Sequence, residues 1–153
     1  MKKVISLIMV SMMAFVGLVG CGSSENEVID VNKKADEIMA VMNFEDDMIS
    51  LNDEQVKYYY TSVDLNDIVS YKIYLASSSV KAEEIAVFET KDKEAAKRVM
   101  EAVNERNGDL LFGFEDYLPA EFKIAQNSYI TSKGNYVFFI VGKNVEEGKK
   151  ELK

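Results

Sequence analysis

Apolar positions along this chain change their spacing several times, and each change marks an element. Val4 to Leu18 is almost wholly apolar, interrupted only by Ser6, Ser11 and Gly17, behind a short basic start, Met1-Lys2-Lys3. Gly22-Ser23-Ser24-Glu25-Asn26-Glu27 is then small and polar, with no periodic apolar position. From Val31 the spacing turns helical: Val31, Ala35, Ile38 and Met42 recur at three and four residues, with Asp30 placed as an N-cap. Phe44-Glu45-Asp46-Asp47 ends that helix. A second, short helix starts at Asn52, with Gln55 at the reciprocal capping-box position, and carries Tyr58-Tyr59-Tyr60. Adjacent tyrosines cannot share one helix face, so at least one is expected to reach solvent, with Tyr59 or Tyr60 packed.

The middle of the chain alternates. In Val69-Ser70-Tyr71-Lys72-Ile73-Tyr74-Leu75 the odd positions are apolar or aromatic and Ser70 and Lys72 point the other way, the pattern of a half-buried strand. Glu84 to Glu89 is a second strand, and the short polar link through Ser77-Ser78-Ser79 favours antiparallel pairing. After Asp92, a further N-cap, Ala96, Val99, Val103, Leu110, Phe114 and Tyr117 keep one helical phase. The step from Val103 to Leu110 is two turns, so the phase survives Asn107-Gly108. One helix from about Lys93 to about Tyr117 is expected, and two helices meeting at Asn107-Gly108 are the rival; Pro119 ends the element either way. Ser128–Lys133 and Tyr136–Val141 flank Gly134-Asn135, a type II′ hairpin signal, and the second of these strands is apolar on both faces. Val145 to Leu152 reads as a short terminal helix weakened by Gly148. The fold class this order predicts is α+β: a four-stranded antiparallel sheet with a long helix on one face and shorter N- and C-terminal helices.

The apolar start acquires meaning from what closes it. Leu18-Val19-Gly20-Cys21 fits the lipobox of bacterial lipoproteins, an aliphatic residue, a variable residue, a small residue and Cys. The basic start and short apolar run follow the plan of a secretory signal and are too short for a comfortable spanning helix. The expected organisation is a signal peptide over 1–20, a lipidated Cys21 with a flexible spacer over 21–30, and one globular domain over 31–153. The resemblance implies a diacylglyceryl group on the Cys21 thiol, palmitate-type acyl chains, and a domain anchored in the cell membrane facing outside the cytoplasm. Two chains, at about 0.8 kcal/mol per buried methylene, hold firmly. An uncleaved anchor helix and a plain secretory signal are the alternatives; in both, the domain still faces outward.

Composition narrows the chemistry. Without residues 1–20, Lys2 and Lys3 leave, so 16 basic residues face 26 acidic ones for a net charge of −10. Such a field repels phosphate backbones, which argues against nucleic acid as a partner, and repels anionic headgroups, which leaves the lipid to hold the protein at its membrane. The one cysteine is the one expected to be lipidated, so the domain stands on packing without a disulfide. The absence of histidine excludes Ser-His-Asp, Cys-His and His-ligated zinc sites, leaving carboxylates, Lys, Tyr, Ser and Thr.

Several short segments in order carry a family resemblance: Glu83-Glu84-Ile85-Ala86-Val87-Phe88, Arg106, Phe114-Glu115-Asp116-Tyr117-Leu118-Pro119, and Lys133-Gly134-Asn135-Tyr136-Val137, behind a lipobox. Together they resemble small lipoproteins of Gram-positive, clostridial-type bacteria whose globular part is catalogued as domain of unknown function 4358. The resemblance spans roughly Phe44 to the C-terminus and departs from the pattern at Asn107-Gly108. It implies an address and a fold, and no catalytic residues. Glu84 and Arg106 are expected to pair and join helix to sheet.

No cofactor and no metal site is expected. Asp64-Leu65-Asn66-Asp67 begins like a calcium loop, but the sixth position is not Gly and the twelfth is Leu75 rather than Glu. A carboxylate-dependent enzyme acting on cell-wall glycan needs no histidine and is the alternative function, although no pair of acids is marked by a motif. The leading expectation is a non-catalytic binding module for a membrane or envelope protein. Its surface would be the second sheet face, with Tyr74 and Phe88 joining Phe138, together with Tyr58 of the tyrosine run. Of the two states of that face, the favoured expectation is that the helix from Val31 to Met42 covers it, with an exposed docking patch as the alternative.

Overall fold

The computed structural model describes residues 28–153. Leu18, Val19, Gly20 and Cys21, on which the anchor rests, lie outside the described residues.

The N-terminal helix α1 (Val31–Val41) is capped by the Asp30 carboxylate, which accepts the Asn32 and Lys33 N–H groups at 2.9 and 3.1 Å. Strand β1 (Met48–Ser50) leads to helix α2 (Asp53–Tyr59), where Asn52 and Gln55 form the capping box written in their sequence. A 3₁₀ turn over Leu65–Asp67 delivers the chain into β2 (Ile68–Ala76), which pairs with β3 (Glu84–Thr90). Helix α3 (Lys93–Phe114) starts at the Asp92 cap and runs unbroken through Asn107-Gly108, so one helix is the outcome. Helix α4 (Pro119–Gln126), the hairpin β4 (Tyr129–Lys133) and β5 (Tyr136–Val141), and helix α5 (Val145–Lys150) complete the described chain. Gly134 has φ 64° and no other described residue has a positive φ, so Asn135 does not meet the type I′ requirement and the hairpin fits type II′.

The sheet has five strands in the order β1-β2-β3-β5-β4, all neighbours antiparallel, where four were expected. The extra strand is β1, paired through Met48–Ala76, Ile49–Leu75 and Ser50–Tyr74. Three residues, of which Ile49 and Ser50 are exposed, are too few to display an alternation. The second omission is α4. Pro119 stops α3's successor turn and also stands at the first position of a new helix, where its missing N–H is no loss.

Helices α2, α3 and α4 pack on one face of the sheet over Ile73, Leu75, Ala86, Phe88, Val137 and Phe139. Helices α1 and α5 close the other over Ile85, Val87, Tyr136, Phe138 and Ile140. The result is a helix-sheet-helix sandwich with two apolar cores. Strand β5 is buried at all six positions, as its unbroken apolar sequence requires. Gly148 lets α5 settle on β5: a Cβ there would stand 3.2 Å from Ile140 Cδ1 and from Met42 Sδ.

Candidate functional site

The residues linking β2 to β3 bring an unusual number of charges indoors. Glu83 and Glu84 are 1% and 0% exposed, and Glu121 of α4 is 6% exposed. Each is satisfied from a different direction. Glu83 accepts the Glu45 and Asp46 backbone N–H groups at 2.9 and 3.1 Å, pinning the segment between α1 and β1. Glu121 accepts the Ala82 N–H at 3.0 Å and the Lys81 ammonium at 3.0 Å. Lys81 also reaches Glu45 at 2.6 Å, and Lys143 closes the chain on Glu45 from the far end of β5. Hydrogen bonds from Lys143 and then Lys81 hold the Glu45 carboxyl down at about 2.

Glu84 is the deepest of the three. Its Oε2 accepts Arg106 Nη2 at 2.8 Å and Nε at 3.1 Å, and its Oε1 accepts the Tyr60 hydroxyl. The guanidinium lies 5.3 and 5.9 Å from the ring centroids of Tyr59 and Tyr60, in cation–π range. The Tyr60 ring meets Phe88 edge-on at 5.5 Å. Burial, and after it the Glu84 charge, pushes the Tyr60 hydroxyl well up from its ordinary range. For Arg106 burial opposes the charge, but Glu84 outweighs it and the guanidinium is raised. The expected Glu84–Arg106 pair therefore exists, and Tyr60 joins it, a third member that the sequence does not signal.

This cluster is largely buried, with the Arg106 side chain 11% exposed, and internally balanced, so its chemistry is that of a clamp between α2, α3 and β3. The calcium-like segment is likewise consumed locally. Asp64 accepts the Asn66 N–H at 2.8 Å, and Asp67 takes a two-pronged hydrogen bond from Arg98 at 2.6 and 2.7 Å. Among the described residues no group of three or more His, Cys, Asp or Glu side chains is placed to hold a metal ion.

The residues expected to form a partner surface do not come together. Phe88 is opposite Val137 and Phe138 is opposite Val87, so strand alternation sends Phe88 to the α3 face and Phe138 to the α1 face. Both are buried, at 0% and 1% exposure. Tyr74 does share the second face with Phe138, but α1 covers it and Asp36 of α1 accepts its hydroxyl at 2.6 Å. The first helix covers that face, as the favoured expectation holds, and the partner surface drawn from Tyr74, Phe88 and Phe138 is corrected. Tyr58 alone of the set is at the surface, 74% exposed, with Tyr59 half-buried and Tyr60 in the core.

Sequence phase missed two other outward aromatics. Tyr117 was expected on the core face of the long helix, yet it is 80% exposed, because α3 stops at Phe114 and the chain turns before Tyr117. Phe112 is 86% exposed on α3 itself. Its position two residues before the buried Phe114 puts it out of the core stripe, and that spacing was the available signal.

Among the described residues no helix is long and apolar enough to cross a membrane. A family model described as domain of unknown function (DUF4358) matches residues 40–142. The match takes in the whole sheet with α2, α3 and α4, and leaves out α5 and most of α1. No curated protein and no solved structure gives a significant match.

Proposed function

We propose that this chain, which belongs to the DUF4358 family, is a lipid-anchored extracytoplasmic protein whose domain binds another protein or an envelope component without transforming it. The observation that carries this reading is where the chemistry points. The buried ionisable groups Glu83, Glu84, Glu121 and Arg106 are all taken up by one another or by backbone N–H groups. The large side chains turned outward include the aromatics Phe112, Tyr117 and Tyr58. Large, stiff aromatics supply much of the energy at protein interfaces. The lipobox at Leu18-Val19-Gly20-Cys21 supports the anchor.

The test is in-cell crosslinking of the full chain followed by mass spectrometry. A reproducible partner is expected, lost in Phe112→Ser/Tyr117→Ser while the protein remains folded. Turnover of purified wall glycan, abolished by neutralising one carboxylate in a still-folded protein, would replace this reading with an enzymatic one. The anchor is tested separately: Cys21→Ala should release the protein from membranes and remove fatty-acid labelling.

A further inference from the structure

The solvent side of α3 is uneven in charge. In its first half the cations are used locally: Lys97 pairs with Glu94, and Arg98 with Asp67. Over residues 107–122 the chain has four acids and no Lys or Arg, and of those acids Glu121 is the one buried against a lysine. Glu101, Glu105, Gly108, Phe112 and Glu115 recur at steps of four and three, so they share one face, and all five are exposed. Asp109 and Asp116, three residues before Phe112 and four after it, are exposed as well, as is Tyr117 in the turn that follows. Glu105 accepts the Ser62 hydroxyl. Among the described residues none of Glu101, Asp109, Glu115 and Asp116 forms an ion pair, although Asp109 adds to the field at the buried Arg106.

This arrangement works against the helix. The carbonyl end of a helix carries partial negative charge, so Glu115 and Asp116 are unfavourable just beyond a last turn that holds no basic residue. Gly108 weakens the helix further, and a Cβ in its place would meet nothing within 4 Å, so packing does not call for glycine there. Its effect is on Phe112. A long helical side chain leans over the turn before its own Cα, and for Phe112 that turn presents no side chain at Gly108. The ring is left open between carboxylates.

The chemistry that such a strip fits is already present inside the domain. At Glu84 a guanidinium is held by a carboxylate while it faces two tyrosine rings at 5.3 and 5.9 Å. Residues 101–117 set out the same two groups, ring and carboxylate, at the surface. Arginine suits both at once, stacking on aromatic faces and pairing with carboxylates through its planar fork. The same negative field opposes anionic wall polymers and headgroups. We propose that this face of α3 docks an arginine-rich segment of another protein, laid along the roughly 21 Å from Glu101 to Glu115. This rests on the reading that the exposed aromatics are the binding surface, and it specifies the chemistry of the partner.

The probe is a fluorescein-labelled alanine-based peptide, about fifteen residues long to match that span, with arginine at every third or fourth position. It is titrated with the full chain in neutral detergent and read by anisotropy. Asp109→Asn/Glu115→Gln/Asp116→Asn should weaken binding about tenfold, and Phe112→Ser/Tyr117→Ser about fivefold. The first of these should leave the melting temperature equal or higher, since it relieves the helix end. Asp47→Asn/Glu146→Gln/Glu147→Gln, which changes net charge by the same amount elsewhere, should weaken binding by less than about twofold. Equal losses from the two neutralised sets, or no loss from the aromatic variant, overturn the docking strip. In cells, photoreactive benzoylphenylalanine in place of Phe112 should crosslink to an arginine-rich segment of another protein. A crosslink to lipid, or to a protein segment without arginine, overturns the arginine-rich partner and leaves the binding-module reading standing. No crosslink from either Phe112 or Tyr117 positions overturns both.

Discussion

Arg106 Nη2 lies 2.8 Å from Glu84 Oε2, and the pair joins the middle of α3 to the first residue of β3 beneath a layer of tyrosine. The contact comes two residues before Gly108, the weakest point of the helix by intrinsic preference. Tertiary attachment at Arg106 and apolar packing at Val103 and Leu110 bracket Asn107-Gly108, so the helix continues where local propensity alone would favour a break. The same carboxylate fixes the end of α2 through Tyr60.

Removing one partner of this pair should destabilise the domain far more than removing both. Arg106→Met strands a carboxylate that is 0% exposed, and the expected loss is about 3–5 kcal/mol. Glu84→Gln/Arg106→Met removes both charges, leaves an acceptor for Tyr60, and should recover most of that loss. Urea melts of the two single variants and the double variant measure the coupling. Additive losses would show that the two side chains act independently.

Three tyrosines give the domain a distinct alkaline limit. Burial, reinforced by Glu84, raises Tyr60; burial and then Asp53 push Tyr71 up to about 12; burial and then Asp36 push Tyr74 up to about 12. In each case the native state keeps a proton that the unfolded chain gives up near pH 10. Their contribution is therefore complete below about pH 10 and is lost as pH rises towards 12. Denaturant melts at stepped alkaline pH should show this decline, and Tyr60→Phe should make it shallower. At the acid end Glu45 works in the opposite sense: its contribution is present above 4.5 and is lost as pH falls towards 2.

Most of this fold is written locally. Asp30, Asn52 and Asp92 cap the helices that their sequence context announces, and Gly134-Asn135 makes the turn that the flanking strands require. What escapes is either too short to have a period or depends on pairing. Strand β1 exists because β2 offers it an edge. The face assignment of Phe88 depends on the β3–β5 register, which places it opposite Val137, and no pattern within either strand fixes that register. The clamp was half legible: Glu84 and Arg106 stood out as charges among apolar neighbours, whereas Tyr60 was one of three tyrosines with nothing local to single it out.

The helical glycines should respond in opposite directions. A Cβ at Gly108 meets nothing within 4 Å, so Gly108→Ala should stabilise the domain by about 0.5–1 kcal/mol. Gly148 sits in helix α5 but against Ile140 and Met42, and Gly148→Val forces those side chains apart at an expected cost of about 1–3 kcal/mol. Thermal melts of the two variants decide the matter. A stabilising Gly148→Val would mean that α5 rides more loosely on β5 than this packing implies.

Phe138 and Phe112 separate core from surface. Phe138 is 1% exposed between the sheet and α1, and Phe138→Ala should cost about 3–5 kcal/mol through lost burial and the cavity left behind. Phe112 is 86% exposed, and Phe112→Ser should change stability by less than about 0.5 kcal/mol. Chemical denaturation of each variant gives both numbers. The contrast matters for the proposed binding role because only a residue that folding does not use can be read as kept for a partner. A large loss of stability in Phe112→Ser would return that ring to the fold and take with it the strongest member of the exposed aromatic set.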